Sequence, residues 1–304
     1  METLREQLLI LISTPIYVLV IGLEVALSHF RKADSYSWRD TLTNLYLMLL
    51  NSGIDLLFRG VYVVALDYCF QQRLLDWSSP LAYWIVLTVV MDFLFYWLHR
   101  IDHHCRFFWA VHVTHHSSEK FNFTVGFRSS VFQPLYRFVY FIPLALAGFK
   151  AMDIVFIFSV TQIWGILVHT EHVGKLGWLE HVLVTPSHHR VHHASNPLYL
   201  DRNLGMLLII WDKLFGTFQE EMPAKRYQPI RYGLTKSLEN PGAAEIVLHE
   251  WRAIWDDVRR PGTAWRNRWR YLFGPPGWSP DGSRLTSDQL RAAEAHTGFD
   301  RQKK

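Results

Sequence analysis

Apolar residues gather in four blocks, 8–28, 43–70, 80–98 and 131–168, and thin out beyond about residue 220. Mean hydropathy is near zero only because that polar, basic tail offsets the blocks. The first block carries one acid and, at ~1.5 Å per residue, is long enough to cross a hydrocarbon core of ~30 Å. It is expected to be retained as a helix, because Glu2 and Glu6 precede it and no small-residue cleavage site follows. The second block sets Asp55 and Arg59 at i, i+4, where they can pair inside protein rather than face lipid; it spans the membrane or is partly re-entrant. The third runs directly into His99, and the fourth predicts a helical hairpin turning near AGFKAMD. The pattern therefore predicts an all-α protein with four or five membrane helices carrying a histidine-rich helical cap.

Three regions follow: N-terminal membrane helices over 1–79, a catalytic region over 80–220, and a cytosolic or interfacial tail over 221–304. Arg31, Lys32 and Arg39 crowd the first loop, whereas the 71–79 loop offers only Arg73 and the hairpin turn only Lys150. The positive-inside rule then puts the first loop, the histidine segments and the tail on the cytoplasmic side of a multi-pass protein. The net charge of +4 is modest for nucleic-acid binding, and no nucleic-acid partner is expected. Positive residues concentrate in WRAIWDDVRRPGTAWRNRWRYLF, 251–273, where tryptophan alternating with arginine suits the headgroup layer. Cys69 and Cys105 have no metal-binding spacing. The terminal SDQLRAAEAHTGFDRQKK predicts a short helix with a frayed end.

The chain has 16 histidines, and most fall between residues 99 and 193 at the ends of apolar segments. Three boxes stand out: His99 and His103 in HRIDHH, His112, His115 and His116 in HVTHH, and His189, His192 and His193 in HRVHH. Spacings of three or four place the imidazoles of each box on one side of a helix. A single such pair would be unremarkable. Eight neutral imidazoles, however, cannot be buried together cheaply without partners, and a shared metal centre satisfies them at once. Four-coordinate zinc would leave half unused, so the count favours two metals, and no HExxH motif of a zinc peptidase is present.

His169 in HTEH follows the hairpin and is a candidate ninth ligand; His172, His104 and His188 are left open. Isolated His29, His181, His249 and His296 read as surface side chains. Asp92, Glu171 and Asp212, with Asp102, are candidate carboxylates to orient imidazole N–H groups or balance metal charge. Pro186 is well placed to start the helix bearing the third box. Imidazole suits iron, copper, nickel and zinc alike. Attack on an unactivated C–H bond of a lipid chain calls for oxygen activation, usually at iron.

DFLFYWLHRIDH, WAVHVTHHSS, TPSHHRVHH and WDKLFGTF, spread over roughly 80–220, resemble the fatty acid hydroxylase and sterol desaturase superfamily of membrane di-iron enzymes. HVTHHSSEKFN, HTE and LIIWDKLFGTFQEE are similar to its alkylglycerol monooxygenase branch. The resemblance implies two iron ions held by His99, His103, His112, His115, His116, His189, His192 and His193, with His169 as ninth ligand. It further implies O2 as co-substrate and hydroxylation of a lipid alkyl or acyl chain, with sterol or fatty-acid desaturation as the alternative. Where the alkylglycerol enzymes carry an acid associated with pterin use, this chain has His104. That departure counts against tetrahydrobiopterin, which is one option for the reductant beside cytochrome b5-like or ferredoxin-like donors. No dinucleotide fingerprint or haem domain occurs, so electrons are expected from a separate molecule. A metal-transporting or metal-binding membrane protein is the rival from another class, and a bis-histidine haem protein a third.

Overall fold

The computed structural model describes residues 2–239 and 241–297. Two long helices open the chain, α1 (Glu2–Phe30) and α2 (Trp38–Gln71). A third, α3 (Pro80–His104), begins where the Ser79 hydroxyl accepts from the Ala82 amide and a proline occupies the first turn. Extended Cys105 breaks the helix, and α4 (Arg106–His116) starts at once, so the first two histidine boxes face each other across one residue. The Asp55–Arg59 pair forms as expected, at 2.8 Å.

The hairpin departs from expectation. Its first limb is broken into α5 (Gln133–Tyr136), a 3-10 turn over Arg137–Phe141 and α6 (Ile142–Leu146). Pro134 and Pro143 each sit at the start of a helical piece, and each lacks the N–H that would continue a helix through it. Only the second limb, α7 (Ala151–Leu167), is a continuous helix, and it has 17 residues. Among the described residues three helices, rather than the four or five expected, are long and apolar enough to cross a membrane: Gln7–Phe30, Trp38–Gln71 and Pro80–His104. The short hairpin instead packs against them, with Phe141, Leu144, Phe149 and Ile154 joining Leu66, Leu87 and Met91 in the main apolar core. Its turn is tight: Gly148 has φ +89, and a Cβ there would lie 2.2 Å from the Leu75 carbonyl oxygen.

Beyond the hairpin come α8 (Pro186–His192), α9 (Ile210–Phe215), α10 (Ala243–Arg259), α11 (Trp265–Phe273) and α12 (Ser287–Thr297). The expected terminal helix is thus present; its frayed end, 298–304, lies outside the described residues. Among the described residues no β-strand forms, only the isolated bridges Leu183–Leu208 and Ala194–Tyr232. Buried Glu24 fastens α1 to the rest, accepting from the Phe123 amide at 2.9 Å and from the Tyr36 and Thr170 hydroxyls at 2.5 Å. Arg106 fastens α10, donating to Glu250 at 2.6 Å and to Asp257 at 2.7 Å.

Candidate metal centre

Helical periodicity sorts the nine histidines into two sets. At 3.6 residues per turn, i and i+4 point almost the same way, while i+3 lies on the other side of that direction. On α4 the i, i+4 pair His112 and His116 joins His99 and His103 from the end of α3, whereas His115 faces away. At α8 the relation is reversed: His189 and His193 stay together and His192 crosses over. The first set is His99, His103, His112, His116 and His192; the second is His115, His169, His189 and His193. His169 reaches the second set from just past the end of α7. Within each set, one nitrogen from every residue lies within 4.8 Å of all the others. The sets adjoin, with the His116 and His193 rings stacked at 4.4 Å.

The nitrogens meet Nε2 to Nε2. His112 lies 3.0 Å from His99 and 3.1 Å from His116. His169 lies 3.0 Å from His189, 3.1 Å from His193 and 3.3 Å from His115. The opposite ring nitrogens are donors: Nδ1 of His99 donates to the Leu204 carbonyl, that of His115 to Arg128, that of His169 to Gly165 and that of His192 to Arg202. A neutral imidazole that donates through Nδ1 presents a bare lone pair at Nε2. His115 and His169 therefore point lone pairs at each other, an arrangement that repels unless a cation lies between them. Nε2 of His103 and of His192 are buried without any hydrogen-bond partner. Burial, followed by mutual repulsion, pushes His112, His116, His169, His189, His192 and His193 well below the ordinary histidine range. Burial also brings His115 down to about 4. Burial thus favours the neutral ring in these seven, the form a metal ligand takes. Two nitrogens bound at about 2.1 Å and at right angles sit roughly 3.0 Å apart, against roughly 3.4 Å for a tetrahedral pair. The spacings of 3.0 to 3.3 Å lie within that range, so the donor set of each cluster fits a metal ion.

Of the four carboxylates singled out from the sequence, Asp92, Glu171 and Asp212 touch no imidazole, whereas Asp102 faces one. Asp92 accepts from the Leu207 and Leu208 amides and the Trp211 indole, tying a loop to α3. Asp212 accepts from the Leu204 and Gly205 amides and the Thr217 hydroxyl, so it holds the strand of chain whose Leu204 carbonyl orients His99. Glu171 takes a bond from Ser35. Asp92 shares a helical face with His99, seven residues on, but that spacing carries it about two turns away from the ring. The acids that do face imidazoles are Asp201, which accepts from Nδ1 of His103 at 3.1 Å, and Asp102, whose Oδ2 lies 4.0 Å from Nδ1 of His112. Burial pushes the Asp201 carboxyl up, but the hydrogen bond from His103 outweighs it and holds it below the usual range.

Three open histidines fall outside both sets. His104 is exposed and donates back to the Arg100 carbonyl. His188 accepts the Thr185 amide at 3.3 Å in a capping box that starts α8 behind Pro186, the role expected of that proline. His172 has its amide on the Thr170 hydroxyl and its Nε2 buried and unpartnered. Arg128 was not visible as a site residue. Buried, it donates to the Thr114 carbonyl, Asp40 and Asn44, joining the end of α4 to α2 while its own carbonyl holds His115. Arg128 and Asp201 sit in irregular segments, where no periodic pattern marks them. Asp201, at φ +54, does so in a left-handed turn.

Three candidate membrane helices capped by two buried histidine clusters define a membrane-type helical protein with a polyhistidine centre. Residues 84–217 match the fatty acid hydroxylase family. The chain is 36% identical over 279 residues to an alkylglycerol monooxygenase of Xenopus tropicalis and 35% identical over 280 to that of Homo sapiens. In both cases 90% of this chain aligns with 60% of the relative, so the chain spans less than two thirds of these proteins. A Delta(7)-sterol 5(6)-desaturase of Gibberella zeae is 30% identical over 155 residues, 48% of this chain and 45% of its own. No solved structure matches the chain.

Proposed function

We propose that the protein is a membrane-bound non-haem di-iron oxygenase that hydroxylates an alkyl or acyl chain of a lipid. The observation that carries this reading is the pair of adjoining histidine sets, whose ring nitrogens converge at spacings suited to metal ligands in a chain whose residues 84–217 match the fatty acid hydroxylase family. His99, His103, His112, His116 and His192 would hold one iron, and His115, His169, His189 and His193 the other. Iron bound there supplies the oxygen chemistry that an unactivated C–H bond requires. The overall reaction puts one atom of O2 into the chain and reduces the other to water, with two electrons and two protons. The electrons come from a separate donor, a reduced pterin or a small redox protein.

The polypeptide contributes orientation and exclusion of water. Backbone carbonyls and Asp201 fix ring orientation, so that every anchored Nε2 faces inward. Phe121 lies against His169 and His193, and Tyr232 stacks on Phe121 at 4.8 Å, closing the second set from that side. Trp109 covers His103 and His116 of the first. The site would sit on the cytoplasmic side, at the end of α3 that follows the apolar stretch. Hydroxylation is favoured over desaturation because the alkylglycerol monooxygenases align with 90% of this chain and the sterol desaturase with 48%.

Lipid mass spectrometry of cells with and without the protein tests the reading. Lipids gaining the mass of one oxygen, absent when His192 is replaced, are expected. A loss of two hydrogens would shift the assignment to desaturation, and metal flux in liposomes without O2 consumption would overturn it.

A further inference from the structure

The structure points to a second membrane contact, and we propose that α10 and α11 form an interfacial arm seated in the headgroup layer of an anionic bilayer. On α11, Trp265, Trp269 and Phe273 recur at i, i+4 and i+8, which aligns them on one face. That face is uncovered: the three are 70%, 55% and 48% exposed, and Trp255 of α10 is 58% exposed. Large aromatic rings left in water this way mark a surface that meets something apolar. Exposed Arg259, Arg260, Arg266, Arg268 and Arg270 surround them, against Asp256 as an exposed acid of α10. Arg259 lies over the Trp255 ring at 4.2 Å and Arg270 over Trp278 at 4.6 Å, holding cations at the level of the indoles. An amphipathic aromatic ring and a cation at one depth suit the boundary between phosphate and acyl chain.

Continuity selects the bilayer over another partner. Phe273 packs at 6.1 Å on Phe107, which meets Trp251 at 5.1 Å, and Trp251 meets Phe132 at 5.7 Å beside the broken hairpin limb. Exposed Leu135 and Val139 of that limb carry the apolar surface onward. On its inner side, α10 presents Ile246 and Val247 to Leu47 of α2, a candidate membrane span whose neighbouring Tyr46, Leu49 and Leu50 are exposed. The arm therefore borders the lipid-facing belt rather than the far side of the cap. Its buried ion pairs, Arg106 to Glu250 and Asp257, keep α10 fixed, so the aromatic face is presented ready-made.

The test uses the full chain in nanodiscs, with Cys69 and Cys105 replaced by serine and a nitroxide attached at Trp269→Cys or, for comparison, at exposed Lys225→Cys. Collision with oxygen and with a water-soluble nickel chelate reports depth. At position 269 the expected result is several-fold lower nickel accessibility than at 225, with protection strengthened by phosphatidylserine and weakened by Arg266→Glu with Arg268→Glu. Nickel accessibility at 269 equal to that at 225 in every lipid would overturn the proposal. So would protection that follows protein concentration rather than lipid composition, because a second copy would then cover the face. Circular dichroism and metal content of the charge-reversed variant, both expected unchanged, separate loss of the contact from misfolding.

Discussion

Oδ2 of Asp102 lies 4.0 Å from Nδ1 of His112, and neither atom has a hydrogen-bond partner. The other oxygen of Asp102 accepts from the Tyr136 hydroxyl at 3.0 Å. Elsewhere in the first set, Nδ1 of His99, His103 and His192 each already donates to an oxygen. Asp102 is therefore the carboxylate available to orient His112. Because such partners typically contribute 10- to 100-fold in affinity, Asp102→Leu is expected to weaken metal binding by about that factor. Competition with a chelator, followed by metal analysis, checks it; unchanged affinity would show that His112 needs no such support.

The division into two sets makes a stoichiometric prediction. His192 crosses from α8 to the first set and His115 from α4 to the second, so each variant strips a ligand from one cluster only. His192→Ala and His115→Ala are each expected to drop bound metal from two ions per chain toward one, with helical content retained and lipid hydroxylation abolished. Retention of both ions and full turnover in the two variants would refute the ligand assignment.

Asp92 and Asp212 separate stability from site geometry. Removing either carboxylate strands buried donors, at about 1–3 kcal/mol for each group left unsatisfied. Asp92→Ala frees the Leu207 and Leu208 amides and the Trp211 indole, none of which orients a histidine. Asp212→Ala frees the Leu204 amide and with it the residue whose carbonyl holds His99. Both variants are expected to melt at lower temperature, but only Asp212→Ala should also lose metal affinity. Gly205 shows how closely this loop is fitted: a Cβ there would lie 2.7 Å from the Leu208 carbonyl and 2.9 Å from Asp212.

Much of the cluster was legible in the sequence because most of its histidines lie on helices, where spacing encodes direction. All nine expected histidines converge, including His169, which has no box of its own. What orients them was not legible. The acceptors for His99, His115, His169 and His192 are backbone carbonyls, which carry no side-chain signature. Asp201 owes its place to a left-handed turn that no period predicts. Composition also overstated the membrane helices, since an apolar run long enough for two crossings is interrupted by Pro134 and Pro143. Hydropathy registers those prolines only as mildly unfavourable, whereas backbone geometry makes them breaks.

Arg106 links the histidine helix to the arm, and its removal should affect the two ends differently. It begins α4, is 3% exposed, and donates to Glu250 and Asp257, the latter also bound by Arg260 and Arg284. Breaking a buried pair from one side typically costs about 3–5 kcal/mol, because the remaining charge stays buried without its partner. Two acids are left here, although Arg260 and Arg284 still reach Asp257, so Glu250 bears most of the imbalance. Arg106→Met is expected to raise amide exchange across Ala243–Arg259 and expose that segment to limited proteolysis. Replacing Glu250 with glutamine in the same chain should recover part of the protection. His112, six residues further along α4, shares none of the Arg106 ion-pair partners, so metal content should fall far less than it does in Asp102→Leu. Exchange in α10 that stays at the native level in Arg106→Met would show that the apolar seat on Leu47 holds the helix unaided.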